Sequence, residues 1–327
     1  MNSKFDISLM VKVAHMYYVD GMKQEEIAGH LSISRSLISM ILTEAREVGI
    51  VEINIRNPLV NNEELSNSFK TTFGLTDCII IPTAVQDSAT LRGLVAQRAV
   101  DVFNREVTSS CTVGIAWGRT CFQFVESYKP NTDVKDLNIV SIIGGSNQTA
   151  GYFQVNEMVR QFAEKIKGTP YFIHAPALAA SAEEKEMYMK SASMQQLLGI
   201  WDNLDIVVCG IGTLPSLSEN ERETYSGEYE IYKQLEENKA VGDLCARYFN
   251  IQGEFIKGDY CKRLIGIPAE SLKKAKKIIC IASGKGKVHS IRGALHANII
   301  DILICDEQTA KAVLNDKDQI DKCHGKV

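Results

Sequence analysis

The sequence predicts an α/β protein in two parts, an N-terminal winged helix-turn-helix and a larger Rossmann-like α/β domain. Three observations predict it. Residues 24–48 hold two short helical patterns joined by a tight turn. From residue 75 onward, short apolar β-rich runs alternate with helical periods, the pattern of a mostly parallel sheet covered on both faces. Several of those runs end in glycine-rich turns, where open α/β sheets gather ligands.

Ile7, Leu9, Met10, Val13, Ala14, Tyr17 and Tyr18 recur at near-helical spacing and predict a first helix, which Gly21 ends. Residues 24–31 form the second helix and 34–48 the third. Ala28 is small where the helices cross closely, and Leu31, Ile33 and Ile38 are apolar where they share a core. Ser34 suits an N-cap, because its hydroxyl can accept an orphan backbone N–H. Gly49 breaks the chain as a residue after a helix should. Residues 50–55 alternate and are β-rich, which predicts a wing strand, and Asn57-Pro58 closes the unit. The domains are thus expected at 1–57 and 58–327.

The second part opens with a connecting helix at 61–73. Strands are expected at 77–82, 111–116, 137–143, 171–174, 205–209, 277–282 and 301–305. Helices are expected at 91–107, 119–127, 155–166, 183–201, 221–239, 288–296 and 307–314, and apart from the 221–239 helix the stretch between 212 and 277, which includes residues 240–250, reads as less regular. No internal repeat or low-complexity segment is evident.

Composition narrows the function classes. The chain has 327 residues, 45% of them hydrophobic and 23% charged, as in ordinary globular proteins. No apolar run reaches membrane-helix length and the N-terminus has no signal-peptide core, so no membrane partner and a cytoplasmic location are expected. Nine scattered cysteines include no pair with metal or redox spacing, and the six histidines form no cluster. Buried reduced thiols, no metal and no cofactor are expected. The net charge is −4, and residues 1–57 hold six Lys/Arg against seven Asp/Glu. One such head binds phosphates weakly, so useful DNA affinity needs several copies on one duplex.

Candidate ligand sites lie at the strand ends. Gly114-Ile115-Ala116-Trp117-Gly118-Arg119-Thr120 follows one strand, Gly144-Gly145-Ser146-Asn147 the next, and Gly210-Ile211-Gly212-Thr213 another. Ser283-Gly284-Lys285-Gly286-Lys287 joins glycine, lysine and a helix start, which makes it the strongest phosphate candidate. Neither a P-loop nor a dinucleotide signature is present. Trp117 can cover a ligand or belong to the core. Asp243 can accept a sugar hydroxyl and Arg247 can meet phosphate, or the two can form a surface ion pair four residues apart.

Taken in order, the N-terminal motif, Gly114–Thr120, Gly144-Gly145, Ala175-Pro176, Asp205 to Gly212, Gly242-Asp243 and Ala282 to Leu314 resemble the SorC/DeoR-type sugar-responsive regulators of bacterial transcription. The resemblance spans nearly the whole chain. It implies a non-enzymatic DNA-binding regulator, most simply a repressor of a carbohydrate-catabolic operon. It also implies a large domain akin to the sugar-phosphate isomerase, deaminase and CoA-transferase fold, bound to a phosphorylated sugar and assembled as a homotetramer or homodimer. The implied effector residues are Gly114, Trp117, Gly118, Arg119, Thr120, Gly144, Gly145, Ser146, Asp243, Arg247, Lys285 and Lys287. Lys287 matches the family lysine, whereas Ser283 replaces a glycine and Lys285 is extra. The implied operator contacts are Gln24, Arg35, Ser36, Ser39, Met40 and Thr43. The family usually carries arginine where this chain has Met40, so an apolar contact to a thymine methyl can replace a guanine contact there. The alternative is a sugar-phosphate isomerase or deaminase on the same fold, which needs an acid/base pair; Asp243, Asp205 and Glu157 are the available acids.

Overall fold

The computed structural model describes residues 5–51, 62–82, 87–129, 133–146, 150–214 and 229–315. The chain divides into two compact units, Met1–Leu59 and Val60–Val327.

In the first unit, α1 (Ile7–Tyr18), α2 (Gln24–Leu31) and α3 (Arg35–Glu47) enclose one small core of Met10, Val13, Ile27, Ile38, Ile41, Leu42 and Ala45. Asp6 caps α1 by accepting the Leu9 N–H at 3.1 Å, and Ser34 caps α3 by accepting the Leu37 N–H at 3.2 Å. Gly21 and Gly49 take positive φ after α1 and α3, a conformation that glycine adopts without a Cβ penalty. Of the wing strand expected over 50–55, residues 52–55 lie outside the described residues, as do residues 57 and 58.

The second unit begins with α4 (Glu63–Phe73) and alternates β1 (Asp77–Ile81), α5 (Ser88–Glu106), β2 (Thr112–Ile115), α6 (Arg119–Ser127), β3 (Asn138–Ser141), α7 (Val155–Ile166) and β4 (Thr169–Tyr171). Then come α8 (Ala182–Met189), α9 (Ala192–Trp201), β5 (Ile206–Thr213), α10 (Tyr229–Glu237), β6 (Ala240–Leu244) and β7 (Arg247–Asn250). The chain continues through α11 (Asp259–Arg263), α12 (Ala269–Lys274), β8 (Lys277–Ile281), α13 (Val288–His296), β9 (Ile302–Asp306) and α14 (Glu307–Asn315). Seven strands form a parallel sheet in the order β1-β9-β8-β5-β2-β3-β4.

The central strands are largely apolar because both faces are covered. Ile79, Val113, Ile115, Ile206, Val208, Ile279 and Ile304 pack under α5, α6 and α7 with Phe103, Phe124 and Phe162. Their neighbours Cys78, Ile80, Val140, Val207, Cys209, Cys280 and Leu303 face the other way, toward Phe69, Trp201, Leu272 and Ile291. Each such apolar side chain contributes about 1.5–3 kcal/mol on burial. The same alternation buries the thiols of Cys78, Cys209, Cys280 and Cys305; of the eight cysteines among the described residues, seven are buried, and none is disulfide-bonded.

Three expectations need correction. The fourth strand lies at Thr169–Tyr171 rather than 171–174, because Thr169 to Tyr171 pair with Asn138 to Val140. The helix expected over 183–201 is two helices; Ser191 caps the second by accepting the Met194 N–H. Residues 240–250 are not irregular but an antiparallel hairpin, β6–β7, that docks on the end of β5. Of the helix expected over 221–239, residues 221–228 lie outside the described ones.

Candidate functional site

The strand order sets where the site forms. After β2 the chain proceeds to β3 on one side, whereas β5, β8 and β9 extend the sheet on the other. The carboxyl ends of β2 and β5 therefore flank a topological switch point, where connecting segments diverge and leave a crevice. A cavity of about 790 Å3 opens there.

Each wall has a local cause. Gly118, at φ 125°, turns the chain from β2 into α6 and donates its N–H to the Tyr152 carbonyl at 2.8 Å. The first-turn N–H groups of α6 then start beside Trp117, Arg119 and Thr120, all three of which line the cavity. Arg119 lies over the Tyr152 ring at 5.2 Å, and Trp117 meets Phe153 edge-on at 5.9 Å. Beyond β3, Gly145 pairs with the 175–177 segment, and its carbonyl accepts the Ala177 N–H at 2.8 Å. Gly145 and Ser146 line that side. The described part of the predicted loop stops at Ser146, and Asn147 lies outside.

The β5–β6 ladder forms the floor. Gly212 is paired with Asp243, and a Cβ on Gly212 would overlap the Asp243 carboxylate. Asp243 Oδ2 also accepts the Ala246 N–H at 3.0 Å, which bridges the hairpin turn. Burial pushes the Asp243 carboxyl up to about 6, against the lowering effects of that hydrogen bond and of Lys287. Burial likewise lowers the Lys287 ammonium, with Asp243 opposing, and its Nζ donates to the Ile211 carbonyl at 2.5 Å.

Trp117, Gly118, Arg119, Thr120, Gly145, Ser146, Asp243 and Lys287 thus converge on one cavity. Four other expected residues do not line it. Gly114 is inside β2, where a Cβ would press on Ile142 and Leu204, so its role is packing. Gly144 passes so close to Pro176 that a Cβ would overlap its carbonyl. Arg247 neither lines the cavity nor pairs with Asp243; its half-buried guanidinium donates to the carbonyls of Gly266 and Ile267 and ties the hairpin to that segment. Lys285 is exposed on the loop, whose Gly284 N–H is directed to Asp306 and Thr309. Only Ser283 and Lys287 of that stretch reach the cavity.

Sequence reasoning missed Arg92 on α5 and Arg263 on α11, both cavity-lining. It also missed Tyr152, Tyr232, Tyr248 and Tyr260. No local motif marks these residues, because distant elements bring them in. Among the described residues that line the cavity, four are cationic and Asp243 is the single carboxylate.

On α3, Arg35, Ser36, Ser39, Met40 and Thr43 are all exposed, with Met40 54% accessible. Gln24 begins α2 and is half-buried. Arg35 makes an exposed ion pair with Glu25 at 3.4 Å, Ser36 contacts Ser34 at 2.9 Å, and Thr43 donates to the Ser39 carbonyl at 3.0 Å.

A doubly wound sheet with a cation-lined cavity at its switch point defines a small-ligand-binding α/β protein. Residues 57–315 match the family described as "Putative sugar-binding domain", and the chain belongs to that family. It is 28% identical to the deoxyribonucleoside regulator of Bacillus subtilis over 308 residues, 94% of this chain and 97% of that one. It is 29% identical to the sorbitol operon regulator of Klebsiella pneumoniae over 317 residues, 96% of this chain and 100% of that one. The crystal structure of full-length SorC from Klebsiella pneumoniae superposes with a TM-score of 0.75 at 28% identity, covering 96% of this chain and all of that one. The resemblance read from the ordered motifs and the α/β fold class are therefore borne out. No described helix is long and apolar enough to cross a membrane, and no described group of three or more His, Cys, Asp or Glu residues is placed to hold a metal ion.

Proposed function

We propose that this chain is a DNA-binding transcriptional regulator, most simply a repressor of a carbohydrate-catabolic operon, whose operator affinity is set by a phosphorylated sugar. The observation that carries the reading is the charge of the cavity: Arg92, Arg119, Arg263 and Lys287 face one carboxylate, at a helix start. Trp117 and Phe153 add apolar faces for sugar C–H groups. The deoxyribonucleoside and sorbitol operon regulators that run the length of the chain support the regulatory role. The near-neutral head supports action as a homodimer or homotetramer, because single heads hold DNA weakly.

An enzymatic reading has less to work with. Asp205 sits at the amino end of β5, bound to the Thr112 N–H and to Lys276, and Glu157 is held by Arg160 on the surface of α7. Asp243 is left as the one described acid at the cavity, without a partner acid or histidine. Thermal shift with matched neutral and phosphorylated sugars tests the effector class, since a ligand that prefers the folded state raises its stability by mass action. The expected result is a rise in Tm with one or more phosphosugars and none with the neutral partners. Equal rises with both would remove the role given to phosphate.

A further inference from the structure

We propose that α4 carries the effector signal toward the head, and that the hydrogen bond between Asn62 and Glu307 is the joint through which α4 is moved. The inference rests on the proposed regulation by a phosphosugar and adds the route by which it acts.

The route starts at Lys287, whose Nζ donates to the Ile211 carbonyl at 2.5 Å in the cavity. The loop that presents it is pinned at Gly284, whose N–H is shared by Asp306 Oδ2 at 3.1 Å and Thr309 Oγ1 at 2.9 Å. Asp306 ends β9 and is buried. Its Oδ1 accepts the Thr309 N–H at 2.9 Å, which caps α14. The next residue, Glu307, accepts a hydrogen bond from the side-chain amide of Asn62 at 3.2 Å. Asn62 in turn caps α4 by accepting the Leu65 N–H at 3.2 Å. It stands shortly after Leu59, where the head unit ends. Two adjacent residues, Asp306 and Glu307, thus join the Lys287 loop to the start of α4.

A second element ties the far end of α4 to the same loop. α13 begins at Val288, directly after Lys287, and ends at His296, whose ring centre is 5.9 Å from that of Phe73 at the end of α4. α13 is also docked on the β6–β7 hairpin. Ser290 donates to the Val241 carbonyl at 2.6 Å, and a Cβ on Gly293 would crowd the Asn250 carbonyl. An anionic ligand competes with the Ile211 carbonyl for Lys287 through a stronger, charge-assisted bond. The loop, α13 and α14 then shift together, and α4 follows because both its ends are held. The two states differ in the contact that Lys287 makes, which is the difference an effector needs.

The experiment measures the affinity of the full chain for a selected duplex with and without the phosphosugar that gives the largest thermal shift. The readout is the ratio of the two affinities, at least about five in wild type. Asn62→Asp keeps an acceptor for the Leu65 N–H but sets a carboxylate against Glu307. It should bring the ratio below about two while the phosphosugar still raises Tm. Adding Glu307→Gln to Asn62→Asp exchanges donor and acceptor, remakes the bond and should restore the wild-type ratio, which a merely structural defect would not allow. Glu307→Ala supplies a second variant should Asn62→Asp not fold. A wild-type ratio in Asn62→Asp or, failing that, in Glu307→Ala overturns the inference and leaves the regulatory reading standing. So does a lost ratio that Glu307→Gln fails to restore, or a single variant that no longer binds the phosphosugar. A wild-type chain whose DNA affinity ignores every stabilising phosphosugar overturns the regulatory reading and the inference with it.

Discussion

Gly212 and Asp243 face each other across the β5–β6 ladder, and the Asp243 carboxylate occupies the space where a side chain on Gly212 would project. The floor of the cavity therefore depends on a residue that lines it with backbone alone. Gly212→Ala should displace Asp243, loosen the hairpin and weaken phosphosugar binding at least about ten-fold, a loss of about 1.4 kcal/mol. The head is a separate compact unit. Its DNA affinity without ligand should change little. Unaltered sugar binding by Gly212→Ala would show that the carboxylate position is unimportant.

Asp243 also gives the protein a pH dependence. Its folded carboxyl titrates at about 6, above the ordinary 3.8, because burial disfavours the charged form. The folded state then binds more protons than the unfolded state between those values, so this group's contribution to stability falls as pH rises from about 4 to about 6 and stays low above. Asp243→Asn should remove that fall: the variant gains Tm relative to wild type at pH 7.5 but not at pH 4. Asparagine can still accept the Ala246 N–H, so the hairpin turn survives. Parallel Tm curves across this range would refute the assignment.

The head makes a base-level prediction. Met40 is exposed on α3, so a thymine 5-methyl group is the contact expected for it. Duplexes selected from a random pool should hold a thymine whose replacement by deoxyuridine, which removes only the methyl, weakens binding by wild type but not by Met40→Ala. Arg35→Ala should instead weaken all sequences and reduce the salt slope by about 1. Indifference of both variants would mean that α3 does not enter the groove.

Stability of the head tests the same helix without DNA. Ser34→Ala removes the hydroxyl that accepts the Leu37 N–H and should cost about 1 kcal/mol. Denaturant melts followed by circular dichroism report it, and a loss under about 0.3 kcal/mol would show that the cap is dispensable.

Much of this architecture was legible because its signals are local. α6, α7 and α13 were expected at the residues where they occur, since glycine turns and helical periodicity lie within each segment. Ser34 was legible as a cap for the same reason. The β6–β7 hairpin was not, because its turn is made by Cys245 and Ala246 at φ 51° and 60°. Those residues carry none of the Asn-Gly or Asp-Gly signal that normally marks such a turn. A non-glycine pair held left-handed is strained, and here Asp243 holds it at the cavity wall. Arg247 was expected at the effector, with an ion pair to Asp243 as the alternative; its carbonyl partners on Gly266 and Ile267 come from tertiary packing that no local spacing marks. Arg92 and Arg263 are 171 positions apart and meet one cavity only through the strand order.

The central claim is that an anionic sugar in the cavity alters the grip of the head on DNA. It is tested most directly by measuring affinity for a selected duplex with and without the phosphosugar that gives the largest thermal shift. The account predicts a change of at least about five-fold, lost in Lys287→Met. Equal DNA affinity with the cavity empty and saturated would contradict it.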